Sequence, residues 1–148
     1  TKLSDTLHIL AFLGLGPDER FTSARIAESV KTNPAYIRQL MAALKNAGLL
    51  TNTQGQANAS LTRPPEEITM LDVYRAVEGN KPLLHMDVDT NPECGVGIHI
   101  QLSIADFYQE VQQAAEKKMA SITLQDILER YHKKIEGLDL YPKQSANR

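Results

Sequence analysis

The chain has 148 residues, 42% of them hydrophobic and 23% charged, with a net charge of −2 and one cysteine. This is the length of one domain, or of a small domain with an appendage, in an ordinary soluble composition. A single cysteine excludes an internal disulfide and suits a reducing, cytoplasmic setting, no run of about 18 apolar residues offers a membrane span, and the opening residues lack the basic start and small-residue cleavage site of a secretory signal.

Residues 2–15 read as a helix. Leu3, Leu7, Leu10 and Leu13 run along one side, with Ile9, Ala11 and Phe12 widening it, and Gly14, Gly16 and Pro17 end it. His8 lies in this helix without a neighbour that would make it a ligand. Thr22 and Ser23 are N-cap candidates for the next helix, whose inward side is Ile26, Ala27 and Val30, with Phe21 as a hydrophobic staple. Residues 31–33 form a turn. Asn33 then caps a third helix, with Pro34 at its first position, where a missing N–H costs nothing. Ile37, Leu40, Met41 and Leu44 make its apolar stripe, and Gly48 sits where a helix end wants a left-handed residue. Its outer face carries Tyr36, Arg38, Gln39, Lys45 and Asn46. Helix, tight turn and polar second helix are the pattern of a helix-turn-helix placed in the DNA major groove. In a helical domain that does not bind DNA, the same face would simply be solvated.

Residues 49–53 and 59–62 are short strand candidates around the turn QGQAN, which makes a wing bearing Gln54, Gln56 and Asn58 and no Arg or Lys. Arg63-Pro64-Pro65 is a stiff break. Thr69 caps a fourth helix with Met70 or Leu71, Val73, Tyr74 and Val77 inward and Gly79 at its end. Glu66, Glu67 and Asp72 complement its dipole. Residues 80–97 are irregular. From Ile98 to Ala120 the pattern is helical, with Ile104, Phe107, Val111, Ala114 or Ala115 and Met119 recurring. At ~1.5 Å per residue this helix reaches about 35 Å, long enough that one part packs on the domain and the rest needs a partner. Thr123 caps a last helix with Ile122, Leu124, Ile127, Leu128 and Tyr131 apolar.

Charge is unevenly spread. Residues 1–65 hold seven Lys or Arg against four acids, a net +3, and residues 66–148 hold nine against fourteen, a net −5. A DNA-facing front and an acidic remainder would look like this, and so small a positive charge calls for a dimer to reach useful affinity.

The segments LS (3–4), IAES (26–29), NPAYIRQLMAALKNAGLL (33–50), RPPEEITMLDVYRAVEG (63–79) and SITLQDIL (121–128), in this order and spacing, resemble the Rrf-two (Rrf2) family of bacterial transcription regulators. The resemblance covers nearly the whole chain. It implies a homodimeric winged-helix DNA-binding protein whose long helix is the dimer seam and whose recognition helix is residues 34–47. Two departures stand out. Cluster-binding members carry three cysteines before and at the start of the long helix, where this chain has Cys94 alone. An iron–sulfur cluster takes four thiolates or thiolates with His, so Cys94 with His85 and His99 is a poor site. The chain looks more like the cluster-free branch, in which an NP-x-C-x-VG stretch such as residues 91–97 replaces the cysteine set. The family's wing often reads RG-x-x-GGY, and TQGQANASL (53–61) lacks its Arg and double Gly.

The fold expected is therefore mainly α, a winged helix-turn-helix with a small β-hairpin wing and a long C-terminal dimerisation helix. Residues 1–79 form the DNA-binding domain, 80–97 an irregular sensor-like segment, 98–136 the dimerisation helix and last helix, and 137–148 a loose tail. Tyr36, Arg38 and Gln39 are expected to read bases, with Pro34 and Ala35 at the helix start beside them. Ser23 and Lys45 are expected to position phosphates, and Gln54 and Gln56 to touch DNA from the wing. Cys94 has three readings: a redox or effector-sensing thiol, a metal ligand beside His85, His99, Asp87 or Asp89, or a small buried residue in a turn. Asp87, Asp89 and Glu93 lack the spacing of a calcium loop and read as a solvated acidic stretch. No nucleophile elbow, phosphate-binding Gly loop or HExxH motif is present, so no enzyme is expected. The function expected is a cytoplasmic homodimeric regulator, a repressor. It binds a double-stranded operator, answers a small-molecule or redox effector, and carries neither cofactor nor metal. The competing reading is a winged-helix protein-interaction module that does not read DNA.

Overall fold

In a computed structural model of the chain, residues 2–15, 22–52, 59–86 and 91–137 are described. In order they form α1 (Lys2–Gly14), α2 (Ser23–Val30), α3 (Pro34–Asn46), β1 (Leu50–Asn52), β2 (Ala59–Leu61), a 3₁₀ turn (Pro65–Glu67), α4 (Met70–Glu78), α5 (Gly95–Ala120) and α6 (Leu124–Glu136). The mainly helical winged-helix fold expected from the sequence is the fold observed. Gly16, Pro17, Phe21, the wing tip with Gln54 and Gln56, Asp87, Asp89 and the tail from residue 138 lie outside the described residues.

The helix-turn-helix closes by local chemistry. The Thr22 hydroxyl accepts from the Arg25 N–H at 3.3 Å and opens α2. Lys31 adopts φ +58° and ends it, with the Thr32 N–H on the Ala27 carbonyl at 2.9 Å. Asn33 Oδ1 accepts from the Tyr36 N–H at 2.8 Å, and Pro34 occupies the first turn of α3. At the far end Gly48 takes φ +76°, which lets the Leu49 N–H reach the Leu44 carbonyl at 2.9 Å. The Thr62 hydroxyl then donates to the Gly48 carbonyl at 2.6 Å, tying the hairpin to the end of α3. The two strands pair antiparallel, Leu50 with Leu61 and Asn52 with Ala59.

Ile9, Leu10, Ile26, Ile37, Leu44, Leu49, Leu50, Ile68, Val73, Leu124 and Leu128 form one buried cluster. Burial of each such side chain is worth about 1.5–3 kcal/mol. Leu124 and Leu128 belong to α6, so the last helix is part of the N-terminal core. The expectation grouped it with the dimerisation helix; its packing joins it to α1. The approach is close at Gly14, where a Cβ would lie 3.0 Å from Leu128 Cδ1.

One device joins the two halves of the chain. Ile68-Thr69-Met70-Leu71-Asp72 and Ile122-Thr123-Leu124-Gln125-Asp126 share the pattern I-T-x-x-D, and each is a capping box. Thr69 Oγ1 accepts from the Asp72 N–H at 3.1 Å, and Asp72 Oδ2 accepts from the Thr69 N–H at 3.0 Å. The corresponding distances at Thr123 and Asp126 are 3.0 and 2.9 Å. The boxes pair antiparallel, the Met70 N–H donating to the Ile122 carbonyl and the Leu124 N–H to the Ile68 carbonyl, both at 2.8 Å. Two of the segments that carry the family resemblance, 63–79 and 121–128, thus meet in one structural joint.

α5 begins three residues earlier than its periodicity suggests. Cys94 Sγ accepts from the Gly97 N–H at 3.4 Å and caps the helix, so Gly95 and Gly97 lie inside it rather than before it. Its 26 residues span about 39 Å. The C-terminal part packs on α4 and the segment after it: Arg75 pairs with Glu116 at 3.3 Å, and Gln112 Oε1 accepts from the Leu83 N–H at 2.9 Å. The N-terminal part has little beneath it. Val96 is 69% exposed and Phe107 66%, with Ile100, Leu102 and Val111 exposed as well. Of the stripe read from the sequence, Met119 is buried while Phe107 and Val111 face outward. Among the described residues no helix is long and apolar enough to cross a membrane.

Candidate nucleic-acid interface

α3 lies over α1, α2 and α4, with Ile37, Leu40 and Leu44 buried. Ala35, Arg38, Gln39, Ala42, Lys45 and Asn46 are exposed. Their spacing of three or four residues makes one continuous stripe opposite the buried one. Ala35 and Ala42 carry only a methyl group, so they leave room for close approach between the longer polar side chains. Ala42 carries no chemistry of its own, and only its place between Arg38 and Asn46 marks it. Neither Arg38 nor Lys45 has an ion-pair partner among the described residues, which leaves both cations available to an outside acceptor. Arg25, on α2, is held 3.6 Å from Glu28 in an exposed pair of the kind worth little.

Two expected residues are placed differently. Tyr36 was put on the outer face, but it is half buried against the core. Burial raises its phenol above the ordinary value of 10.0. A hydrogen bond to Asp5 on α1 adds to this, followed by the negative charges of Asp5 and Glu78. Tyr36 therefore packs against the core at the start of α3. The reason is angular: position 36 lies about 40° from Leu40 on the helical wheel, at the edge of the buried stripe. Ser23 is half buried and its hydroxyl lies 3.9 Å from Met41 Sδ, across the α2–α3 contact.

Cys94 is exposed, which overturns the buried reading. Its thiol is occupied as the cap of α5. Among the described residues no group of three or more His, Cys, Asp or Glu side chains could hold a metal ion.

A winged helix with a free polar stripe on its second helix defines a class, the winged-helix DNA-binding regulators. The family model described as "Rrf2: Iron-dependent Transcriptional regulator" matches residues 1–130. The chain belongs to the Rrf2 family of transcriptional regulators, which are not enzymes. YwnA of Bacillus subtilis (strain 168), an HTH-type transcriptional regulator by name, is 38% identical over 128 residues, 86% of this chain and 95% of YwnA. A crystal structure described as that of a DNA-binding protein matches with a TM-score of 0.71 and 37% identity, over 86% of this chain and 99% of the other. CymR (YrzC), the global cysteine regulator of B. subtilis, matches with a TM-score of 0.63 and 25% identity, over 87% of this chain and 94% of the other. The residues here do not fit the iron of the family's description as a cluster, because one thiolate cannot supply the ligands a cluster requires.

Proposed function

We propose that this chain is a homodimeric, cytoplasmic operator-binding repressor that works without an iron–sulfur cluster. The observation that carries the reading is the exposed stripe of α3, polar, backed by a buried stripe and bearing two cations without ion-pair partners among the described residues. Arg38 and Gln39 read base edges in the major groove, the guanidinium on guanine and the amide on adenine. Lys45 holds a phosphate, Pro34 and Ala35 bring the helix start close to the backbone, and Tyr36 and Ser23 position α3. Gln54 and Gln56 contact DNA from the wing by hydrogen bonds. The unpartnered apolar residues of α5 are the dimer seam, and the two α3 helices enter successive major grooves about 10–10.5 bp apart or a multiple. Cys94, exposed at the start of that seam, is the thiol through which a redox signal would act.

The net charge of −2 favours a second reading, a winged-helix interaction module that does not read DNA. Selection of bound sequences from a random duplex pool, followed by a salt series on the winner, separates the two. The regulator yields one palindromic site and a log–log salt slope of several units. A chain that enriches no sequence and binds no duplex at low salt is the module.

A further inference from the structure

We propose that the cleft at the elbow between α5 and α6 binds a small organic anion with an apolar body, and that its occupancy tunes DNA binding. The cleft encloses about 690 Å³, within the roughly 300–1,000 Å³ of small-molecule sites. Its floor is apolar, made by Met70, Ile122, Ile127 and Tyr131, and its rim carries Lys118 from α5 and Arg130, Lys133 and Lys134 from α6. None of these four cations has an ion-pair partner among the described residues. The two carboxylates in the lining are engaged locally. Asp126 Oδ2 accepts from the Thr123 N–H at 2.9 Å, and Glu129 Oε1 accepts from Gln125 Nε2 at 3.3 Å.

The four cations outnumber the two carboxylates of the lining, so the cleft is net positive and attracts an anion whose apolar part covers the floor. The chemistry that fits is a carboxylate, phosphate or sulfonate on a ring or short aliphatic body. A DNA backbone would satisfy the rim but has no apolar body for the floor. The floor also includes the joint between the two halves of the molecule, since Met70 and Ile122 are the residues whose backbones bond at 2.8 Å. A ligand seated there bears on the winged helix through Met70 and on the long helix through Lys118 and, in the turn that follows it, Ile122. It shifts DNA affinity to the extent that it prefers one relative placement of the two. This regulatory half rests on the operator-binding reading above; the binding half does not.

The test is calorimetric titration of the full chain with phenyl phosphate, inorganic phosphate and benzyl alcohol. The expected result is one saturable site per chain, with phenyl phosphate bound at least about tenfold more tightly than either reference. Arg130→Gln/Lys133→Gln/Lys134→Gln together are expected to weaken it by about tenfold or more, and Lys118→Gln by several-fold, with thermal unfolding unchanged. Phenyl phosphate is also expected to change operator affinity of the unsubstituted chain and not of the triple variant. The site is overturned if phenyl phosphate does not bind, if inorganic phosphate binds as well, or if the triple variant binds unchanged. It is also overturned if, without ligand, the triple variant loses random-duplex affinity and salt slope, since the cations would then be DNA contacts. Binding as expected with operator affinity unmoved overturns the regulatory half. Binding as expected by a chain that holds no DNA leaves the site standing and refutes the operator-binding reading instead.

Discussion

Arg38 and Tyr36 are two positions apart on α3 and have opposite fates, which decides what each substitution does. Arg38 is exposed and carries one end of the polar stripe. Arg38→Ala is expected to cost about 1–3 kcal/mol at the preferred operator and to relax the choice of base at one position. Lys45→Ala is expected to weaken all duplexes alike and lower the salt slope by about one. Fluorescence anisotropy on the selected operator and a scrambled duplex checks both, and equal losses on both duplexes for Arg38→Ala would remove it from base reading. Tyr36 is an acid whose folded pKa is raised, by burial first and then by Asp5 and Glu78. Its contribution is fully present below the unfolded value of 10.0 and is lost as pH rises through the higher folded value. Denaturant midpoints are therefore expected to fall more steeply above about pH 10 in the unsubstituted chain than in Tyr36→Phe. Parallel curves would show that the Tyr36 phenol is not held above its ordinary value in the folded chain.

At the scale of elements, α6, which the sequence reading groups with the dimerisation helix, packs on α1. Its apolar positions Leu124 and Leu128 were legible as a buried face, and its capping box as a helix start. Which helix receives that face depends on the joint at Thr69 and Thr123, formed between residues more than fifty positions apart. Leu128→Ala removes a side chain packed on Gly14 in the core of the DNA-binding unit. It is expected to cost about 2–5 kcal/mol in global stability. Urea unfolding followed by far-ultraviolet dichroism measures this. A loss below about 1 kcal/mol would mean that α6 is not part of that core. The start of α5 shows the reverse case. Glycines at 95 and 97 read as breakers, but the Cys94 cap and the helix behind it outweigh two weak propensities.

For the whole molecule, the outward apolar residues of α5 are the proposed dimer seam. A 26-residue helix with Val96, Ile100, Leu102, Phe107 and Val111 exposed has far more apolar surface than an isolated chain this small buries along it. Phe107→Asp puts a charge into the proposed seam without touching the core. It is expected to weaken the dimer by tenfold or more, about 1.4 kcal/mol for each tenfold, and to lower operator affinity with it. Sedimentation equilibrium across a concentration series reads the first effect. A dimer unchanged by Phe107→Asp would place the interface elsewhere.

The sequence by itself determined the helices, their caps, the hairpin and the order of segments that marks the family. Each of these is written in residues close together along the chain, where propensity, capping and periodicity act. The polar face of α3 was legible for the same reason, because a buried stripe at Ile37, Leu40 and Leu44 leaves only one side for Arg38, Gln39 and Lys45. Tertiary structure alone decided that Tyr36 packs against the core, that α6 completes the N-terminal core, and that Met70 and Ile122 meet beneath a cationic rim. Each of those depends on where a distant helix lies, and burial and pairing across such distances leave no period in the sequence.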